Sequence, residues 1–596
     1  MKDPKQFYTN RRDTYKAEVS HNKKQLLLLS WLRFLAFVVT VILAYYFFPN
    51  WKLSVIICAI GIALFIYLLT QYSSQKKQLE LKKALLKLNE EELKMLERKF
   101  HHRETGNEFQ DPKHYYSLDI DLFGNGSFFQ YLNRTQIPEG KRGLARLLKL
   151  NSVKNIRQKQ EAIKELSAKP EWMQNYSATA SLANIETPSR QIINWLQDHE
   201  RFMPKTTKWF QLLFCTISII LLILAIFEVI PIDYFGYWLF VGLLITGRYL
   251  KKINKLSANS DRARDTFKHY SELLLQIENE RFNSKLLKKK QEQIHSETKR
   301  ASAIFAQFSR HLDALDNRNN LIGAIFGNGY LLLDLKNAFY VEKWISTYAS
   351  KVEDWFDVIS FFDVYNTLGT YTFNHPKHHF PELITPEREI IGREYVIDAK
   401  QLGHPLLNSS KRVNSDVSID NHNFFIVTGA NMAGKSTFLR TISLHIVMAN
   451  IGLPVCAAYS KYQPIKLITS MRTTDSLTDE SSYFFSELTR LKFIVDALEK
   501  DSYFIVLDEI LKGTNSTDKA IGSKKFVEKL VAKKATGIVA THDLSLCTIS
   551  NELEAVENYY FDAEIINNEL HFDYKLKRGV CNNMNASFLL KKMDIV

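Results

Sequence analysis

A chain of 596 residues, 46% of them apolar, has room for several domains with substantial cores. Lys and Arg outnumber Asp and Glu by 78 to 64, and the formal charge of +14 fits nucleic acid, anionic lipid or the positive flanks of membrane segments. Five scattered cysteines (Cys58, Cys215, Cys456, Cys547 and Cys581), with no C-x-x-C pair, argue against a disulfide framework or a zinc site and fit a reducing compartment.

In chain order, an N-terminal segment (1–25) precedes two greasy runs, Leu26–Phe48 and Leu53–Thr70, parted by "PNWK". A second pair, Trp209–Phe227 and Ile232–Leu250, is broken by "EVIPID". A bilayer crossing takes about 20 mostly apolar residues, so hydropathy predicts two transmembrane helical hairpins, at 26–71 and 209–250. Two hairpins buried in a soluble protein are the alternative. Arg33 lies close enough to the start of its run to snorkel, and Tyr234, Tyr237 and Trp238 suit an interfacial belt. Arg11, Arg12, Lys23 and Lys24 precede the first run, and Lys76 and Lys77 follow the second. Lys205 and Lys208 precede the third, and Arg248, Lys251 and Lys252 follow the fourth. By the positive-inside bias both hairpin tips face out and everything else is cytoplasmic, which predicts an integral, multi-pass protein of the cell (inner) membrane. The first run is too long for a cleavable signal and lacks a small-residue cleavage site.

Between the hairpins, within 72–208, Gln75–Phe100 is charged and Leu-rich at helical spacing, and "DPKHYYSLDIDLFGNGSFFQYLNRTQIPEGKRGLARLLKL" mixes turn signals with an apolar pattern before ending in a helix. After the second hairpin (251–395), Ile253–Leu312 is almost free of Gly and Pro and reads as long helices. Its "KLLKKKQEQIHSETKR" makes a basic face, either solvated or contacting phosphates. From about Val396 to the last residue (396–596) the texture changes. "NFFIVTG", "YFIVLDE" and "TGIVATHD" are β-rich runs, each ending in a polar turn and alternating with helices, the pattern of a mostly parallel α/β sheet. "YYFDAEIINNELHFDYKL" predicts an antiparallel hairpin turning at Asn567–Asn568.

Chemistry concentrates in that last part. Gly429, Gly434, Lys435 and Ser436 fit G-x-x-x-x-G-K-[ST] between a strand and a helix. Glycines there let backbone N–H groups converge on phosphate oxygens, so the whole stretch Gly429, Ala430, Asn431, Met432, Ala433, Gly434, Lys435, Ser436 and Thr437 is the candidate ATP-binding loop. Lys435 would neutralise the β- and γ-phosphates, and the Ser436 hydroxyl would ligate Mg²⁺. Asp508 ends a second strand where it would hold Mg²⁺, Glu509 beside it would polarise the attacking water, and His542 ends a third strand near the γ-phosphate. That combination is the layout of an ABC-type ATPase. Such heads need a signature segment that completes the neighbouring subunit's site, and "DSLTDESSYFFSEL", Asp475–Leu488, lies where it belongs.

These residues resemble the MutS family of DNA mismatch-repair ATPases. "TGANMAGKSTFLRTISLHIVMANIGLPVCA" resembles its phosphate loop and following helix, "LDEILKGTNSTD" its Asp-Glu strand, "ATHD" its switch histidine and "SLTDESSYFFSE" its signature, with Ser482 at the position of the γ-phosphate-contacting serine. Glu480-Ser481 replaces the usual Gly-Arg before that serine. "SLDIDLFGNGSFFQYLNRTQIPEGKRGLARLL" looks like the start of the family's core domain, and "FFDVYNTLGTYTFN" with "GHPLL" like its end. No Phe-x-Glu wedge occurs in the first hundred residues, and a membrane hairpin stands where a mismatch-reading domain would be.

The resemblance implies an α/β ABC-type P-loop ATPase domain (396–596) on a mostly helical MutS-like core with two transmembrane hairpins. It further implies a homodimer that binds and hydrolyses ATP with Mg²⁺, coupled to mismatched or branched DNA. A membrane scaffolding ATPase with a protein partner and no DNA is the alternative. A transporter fits less well, because Lys435 and Asp508 are only 73 positions apart, too close for the subdomain through which transporters grip their membrane half.

Overall fold

The computed structural model describes residues 3–183, 187–295, 299–316, 321–384, 395–430, 432–472, 483–566 and 569–581. Two very long helices open it, α1 (Pro4–Tyr46) and α2 (Trp51–Leu96). The Asp3 side chain caps the first by accepting from Gln6 N, and Asn50 caps the second through Leu53 N. At 43 and 46 residues, and about 1.5 Å per residue, each is about twice as long as a bilayer core is thick. The halves next to the turn are apolar yet open to the surroundings, with Trp31 69%, Phe34 60% and Ile60 65% exposed. They cross closely, since a Cβ on Gly61 would sit 2.3 Å from Thr40 Cγ2. Arg33 does not extend alone; its guanidinium lies 3.9 Å from the centre of the Tyr72 ring across the hairpin.

The polar halves of the same two helices dock on the core. Phe7, Tyr8, Tyr15, Leu85 and Met95 are buried, and Phe7 meets Phe373 edge-on at 5.1 Å. Most of the N-terminal segment (1–25) and most of the charged helix expected at Gln75–Phe100 are therefore continuous with the first two greasy runs.

The core is helical. Short helices α3 (Phe128–Leu132), α4 (Pro138–Lys149), α5 (Ile156–Ser167), α6 (Pro170–Ser181) and α7 (Ser189–Gln197) lead to α8 (Thr207–Ile226) and the 48-residue α9 (Ile232–Asn279). They are followed by α10 (Lys285–Glu292), α11 (Ala301–Asp316), α12 (Leu321–Leu331) and the 42-residue α13 (Leu333–Asn374). The helix α12 was not foreseen in the sequence. It packs on α8 and α9, with a Gly242 Cβ falling 2.1 Å from Gly329 O, Phe235 stacked on Tyr330 at 4.2 Å and Ser218 Oγ donating to Tyr330 O at 2.7 Å. Among the described residues three helices, α1, α2 and α8, are long and apolar enough to cross a membrane by length and composition. The fourth expected run opens α9 and is not one of these, being diluted by Asp233, Gly236, Gly242, Gly247 and Arg248.

The two stretches that looked like the start and end of one core do meet. Asp363 on α13 is fully enclosed and accepts from Gln136 N (3.0 Å) and Ile137 N (3.1 Å), which fixes the chain just ahead of α4. A closed knot lies nearby. Tyr8 Oη donates to Asn374 Oδ1 (2.7 Å), Asn374 Nδ2 donates to Glu92 Oε2 (2.7 Å), and Arg134 Nε donates to Glu92 Oε1 (3.1 Å). All four side chains are buried. Burial would raise the Glu92 carboxyl, but Arg134, helped by Arg103 and Asn374, outweighs it and holds the group below its ordinary value.

Beyond α13 come two sheets. Strands β1 (Glu382–Leu383), β2 (Tyr395–Leu402), β3 (Ser415–Asp420) and β5 (Tyr459–Tyr462) make a four-stranded sheet in the order β1-β5-β2-β3. The remaining strands are β4 (Phe424–Gly429), β6 (Lys466–Ser470), β7 (Tyr503–Asp508), β8 (Thr536–Ala540), β9 (Val556–Ile566) and β10 (Glu569–Arg578). They form a six-stranded sheet in the order β10-β9-β4-β8-β7-β6, parallel except for the β9–β10 hairpin, whose register pairs Ile566 with Glu569, while Asn567 and Asn568, where the turn was expected, lie outside the described residues. Helices α14 (Lys435–Asn450), α15 (Tyr483–Ala497) and α16 (Ser516–Ala532) complete this part. The free edge of β6 is covered by the core, because Asn151 bonds both Leu467 O (2.7 Å) and Leu467 N (2.9 Å), and Thr469 N donates to Tyr115 O (2.9 Å).

Candidate functional site at the strand ends

The order β4-β8-β7 decides where the polar residues go. With β8 in the middle, His542 at its end falls between the loop after β4 and the carboxylates ending β7. Glycine is required at two loop positions. Gly429 has φ +144°, and a Cβ there would sit 2.5 Å from Phe561 O. Gly434, with φ +108°, caps α14. Between them Met432 holds φ +68° and is 80% exposed, and Ala433 is buried. Ala430 is half-buried and Thr437 exposed.

Lys435 is buried with its ammonium turned back on the loop, donating to Gly429 O (2.7 Å) and Ala430 O (3.0 Å). Its Nζ also lies 3.3 Å from His542 Nε2. Burial pulls its pKa below the ordinary value against the opposing fields of Asp508 and Glu509. Ser436 Oγ donates to Asp508 Oδ2 at 2.9 Å. Burial raises the Asp508 carboxyl, with that hydrogen bond opposing. Glu509 goes the other way. Its carboxylate lies 3.1 Å from His542 Nε2, and chiefly that hydrogen bond holds it down to about 2. Glu509 adopts φ +49°, a left-handed backbone a non-glycine residue rarely takes, and its N–H donates to Ala540 O (2.9 Å).

Five of the expected residues, Lys435, Ser436, Asp508, Glu509 and His542, are thus brought together. Asn431 and Ser482 lie outside the described residues, as does the signature stretch up to Tyr483. One group had no role assigned from the sequence. Glu487 on α15 is buried, and its carboxylate accepts from Leu511 N (2.5 Å) and Lys512 N (3.1 Å), so it clamps the turn that carries Asp508 and Glu509. An acid in the first turn and a half of a helix is ordinary in sequence; only its burial marks it. A second group was also missed. Thr469 Oγ1 (2.5 Å) and Arg472 N (2.9 Å) both donate to Asp119, fastening the core to the end of β6 and the residues just after it.

The group fits a magnesium nucleotide on its own bonding. Lys435 and Ser436 spend their protons on groups of the site itself, which a phosphate and a cation would replace one for one. Among the described residues no cluster of three or more His, Cys, Asp or Glu could hold a metal by itself.

A glycine loop, strand-end carboxylates and a strand-end histidine on one mostly parallel sheet define an α/β domain with its chemistry at the carboxyl ends of its strands. Residues 425–591 match the family model described as MutS domain V. "MutS protein homolog 4" of Homo sapiens is 36% identical over 198 residues, 31% of this chain and 21% of that protein. "DNA mismatch repair protein MutS" of Fusobacterium nucleatum is 34% identical over 178 residues, 28% of this chain and 20% of that protein. Residues 425–591 thus carry a domain of the MutS family. It spans about a fifth of the length of the curated relatives it matches.

Proposed function

We propose that the chain is a membrane-anchored, MutS-type ATPase whose residues 396–596 form an ABC-type domain. That domain binds and hydrolyses ATP with Mg²⁺ as a head-to-head homodimer coupled to mismatched or branched DNA. The convergence of Lys435, Ser436, Asp508, Glu509 and His542 at adjacent strand ends carries the reading. Lys435 neutralises the β- and γ-phosphates, and the N–H groups of 429–437 cradle them. Ser436 and Asp508 hold the cation, which supplies charge neutralisation on the transferring phosphoryl group. Glu509, kept ionised by His542, orients and deprotonates the attacking water. Ser482 contributes across the dimer.

Membrane attachment is supported by α1, α2 and α8, and by the exposed apolar halves of the first two. The Lys and Arg flanks favour cytoplasmic heads at the cell (inner) membrane. The relative from Fusobacterium nucleatum, named for DNA mismatch repair, supports a DNA ligand.

Detergent-solubilised full-length chain tests the reading. ATPase activity per molecule should rise with protein concentration, and a mixture of Lys435→Ala and Ser482→Ala chains should recover partial activity through one intact composite site. Binding to branched or mismatched duplex should weaken steeply with salt. Concentration-independent hydrolysis would remove the dimer. Active protein that ignores every DNA form at low salt would replace DNA with a protein partner.

A further inference from the structure

The start of α8 and the end of the apolar part of α9 lie side by side. The two helices run antiparallel, with Phe214 stacked on Trp238 at 4.6 Å and Trp238 Nε1 donating to Ser218 Oγ at 2.8 Å. Between them, where the greasy stretch of both helices gives way to charge, is a cavity of about 370 Å³. That is within the roughly 300–1,000 Å³ range of small-molecule sites. Phe210 (45% exposed) and Leu244 (78% exposed) form its flank, Leu335 from the first turn of α13 its buried floor, and Thr206, Thr207 and Arg248 its rim. The wall is mostly hydrocarbon and the rim polar.

On α8, α9 and the residues leading into α8, the charge around the rim has one sign. Lys205, Lys208, Arg248, Lys251 and Lys252 are all exposed there. No Asp or Glu occurs between Arg201 and Phe227 or between Tyr234 and Ser260. Among the described residues no carboxylate pairs with Arg248. An apolar slot opening sideways between two helices, capped by unneutralised cations, is complementary to one chemical type: a hydrocarbon chain ending in an anionic head.

The geometry points to a binding site for an anionic phospholipid of the surrounding leaflet, its acyl chain along Phe210, Leu244 and Leu335 and its phosphate at Arg248 and the α8 amino end. This inference rests on the membrane reading above. A neutral lipid would leave the five cations without a counter-charge, and a free phosphate would leave the apolar wall uncovered.

Full-length protein reconstituted with equal amounts of phosphatidylglycerol and phosphatidylcholine, then purified in detergent, provides the test, with retained lipid counted by native mass spectrometry. The wild type should retain phosphatidylglycerol at least about fivefold over phosphatidylcholine, the worth of one cation at a membrane surface. Each cation at a membrane surface is worth about fivefold, so Arg248→Ala should lower that preference about fivefold and Arg248→Lys should restore most of it. Glycerol phosphate, the head without the chain, should not compete. Equal retention of both lipids, no effect of Arg248→Ala, or full competition by glycerol phosphate each overturns the site. Flotation with purely phosphatidylcholine vesicles separates the two readings. A chain that fails to float overturns the membrane attachment itself, whereas a chain that floats but shows no lipid preference overturns the site alone.

Discussion

Two clusters of charge in this molecule use similar groups to opposite ends. Around Glu92, a carboxylate, a guanidinium, an amide and a phenol satisfy one another inside the core, and all four are buried. Around Glu509, a carboxylate pair, an ammonium, a hydroxyl and an imidazole also touch. There the ammonium donates to loop carbonyls, and His542 and Glu509 remain about one-third and one-quarter exposed. A closed cluster has no bonding capacity left and can only fix positions. An open one, with a lysine bonded to its own backbone, exchanges internal bonds for a ligand at little net loss. Saturation, more than charge, separates scaffold from site.

Substitutions can break that contrast. The largest expected effect is Lys435→Ala, which should abolish nucleotide binding and hydrolysis in equilibrium-binding and phosphate-release assays while leaving the melting temperature nearly unchanged. A large drop in melting temperature would mean that Lys435 is scaffold after all. Next, Glu509→Gln should slow hydrolysis by about 10²–10⁴-fold, the usual worth of a positioned base, with ATP affinity kept. Hydrolysis at the wild-type rate would remove Glu509 from that role.

The converse experiment sits in the closed knot. Glu92→Ala leaves Arg134 buried without its counter-charge and should cost about 3–5 kcal/mol in denaturant unfolding, with no direct effect on ATP affinity of the folded fraction. Replacing Glu92 and Arg134 together by Leu and Met should recover much of that loss. A Glu92→Ala chain of wild-type stability would show that the knot carries no load.

The smallest effect refines the comparison. Asp363 is a buried carboxylate that accepts two backbone N–H groups but has no cation beside it, and burial pushes it up to about 7. The folded chain therefore keeps a proton that the unfolded chain has released above about pH 4, so stability falls as pH rises toward 7. The slope is at most about 1.4 kcal/mol per pH unit. Urea unfolding at pH 5 and pH 7 should show this decline, and Asp363→Asn should flatten it. An unchanged slope in that variant would assign the decline to other groups.

The open cluster was legible in the sequence because its parts are local. A glycine loop between strand and helix, and two strand ends with polar turns, each declare themselves within a dozen residues. The parallel sheet and the β9–β10 hairpin followed from the same short-range signals. The closed knot was not legible, since it joins Tyr8, Glu92, Arg134 and Asn374, and nothing at any one of these positions announces the others. The continuity of α1 and α2 through membrane-like and core-packed halves was hidden for a related reason. A change of solvent along a helix changes its composition without ending it. The helix α12, only 11 residues long, fell below the length at which an apolar run is read as a crossing.

The helix α13 joins the α12 end of the core to the closed knot in one uninterrupted element. Its first turn touches α12 and the α8–α9 pair, and its last residue, Asn374, is pinned in the closed knot. Forty-two residues make a rod of about 63 Å. With the pinned end as pivot, a tilt of about 5° moves the far end by about 5 Å, one pitch of a helix.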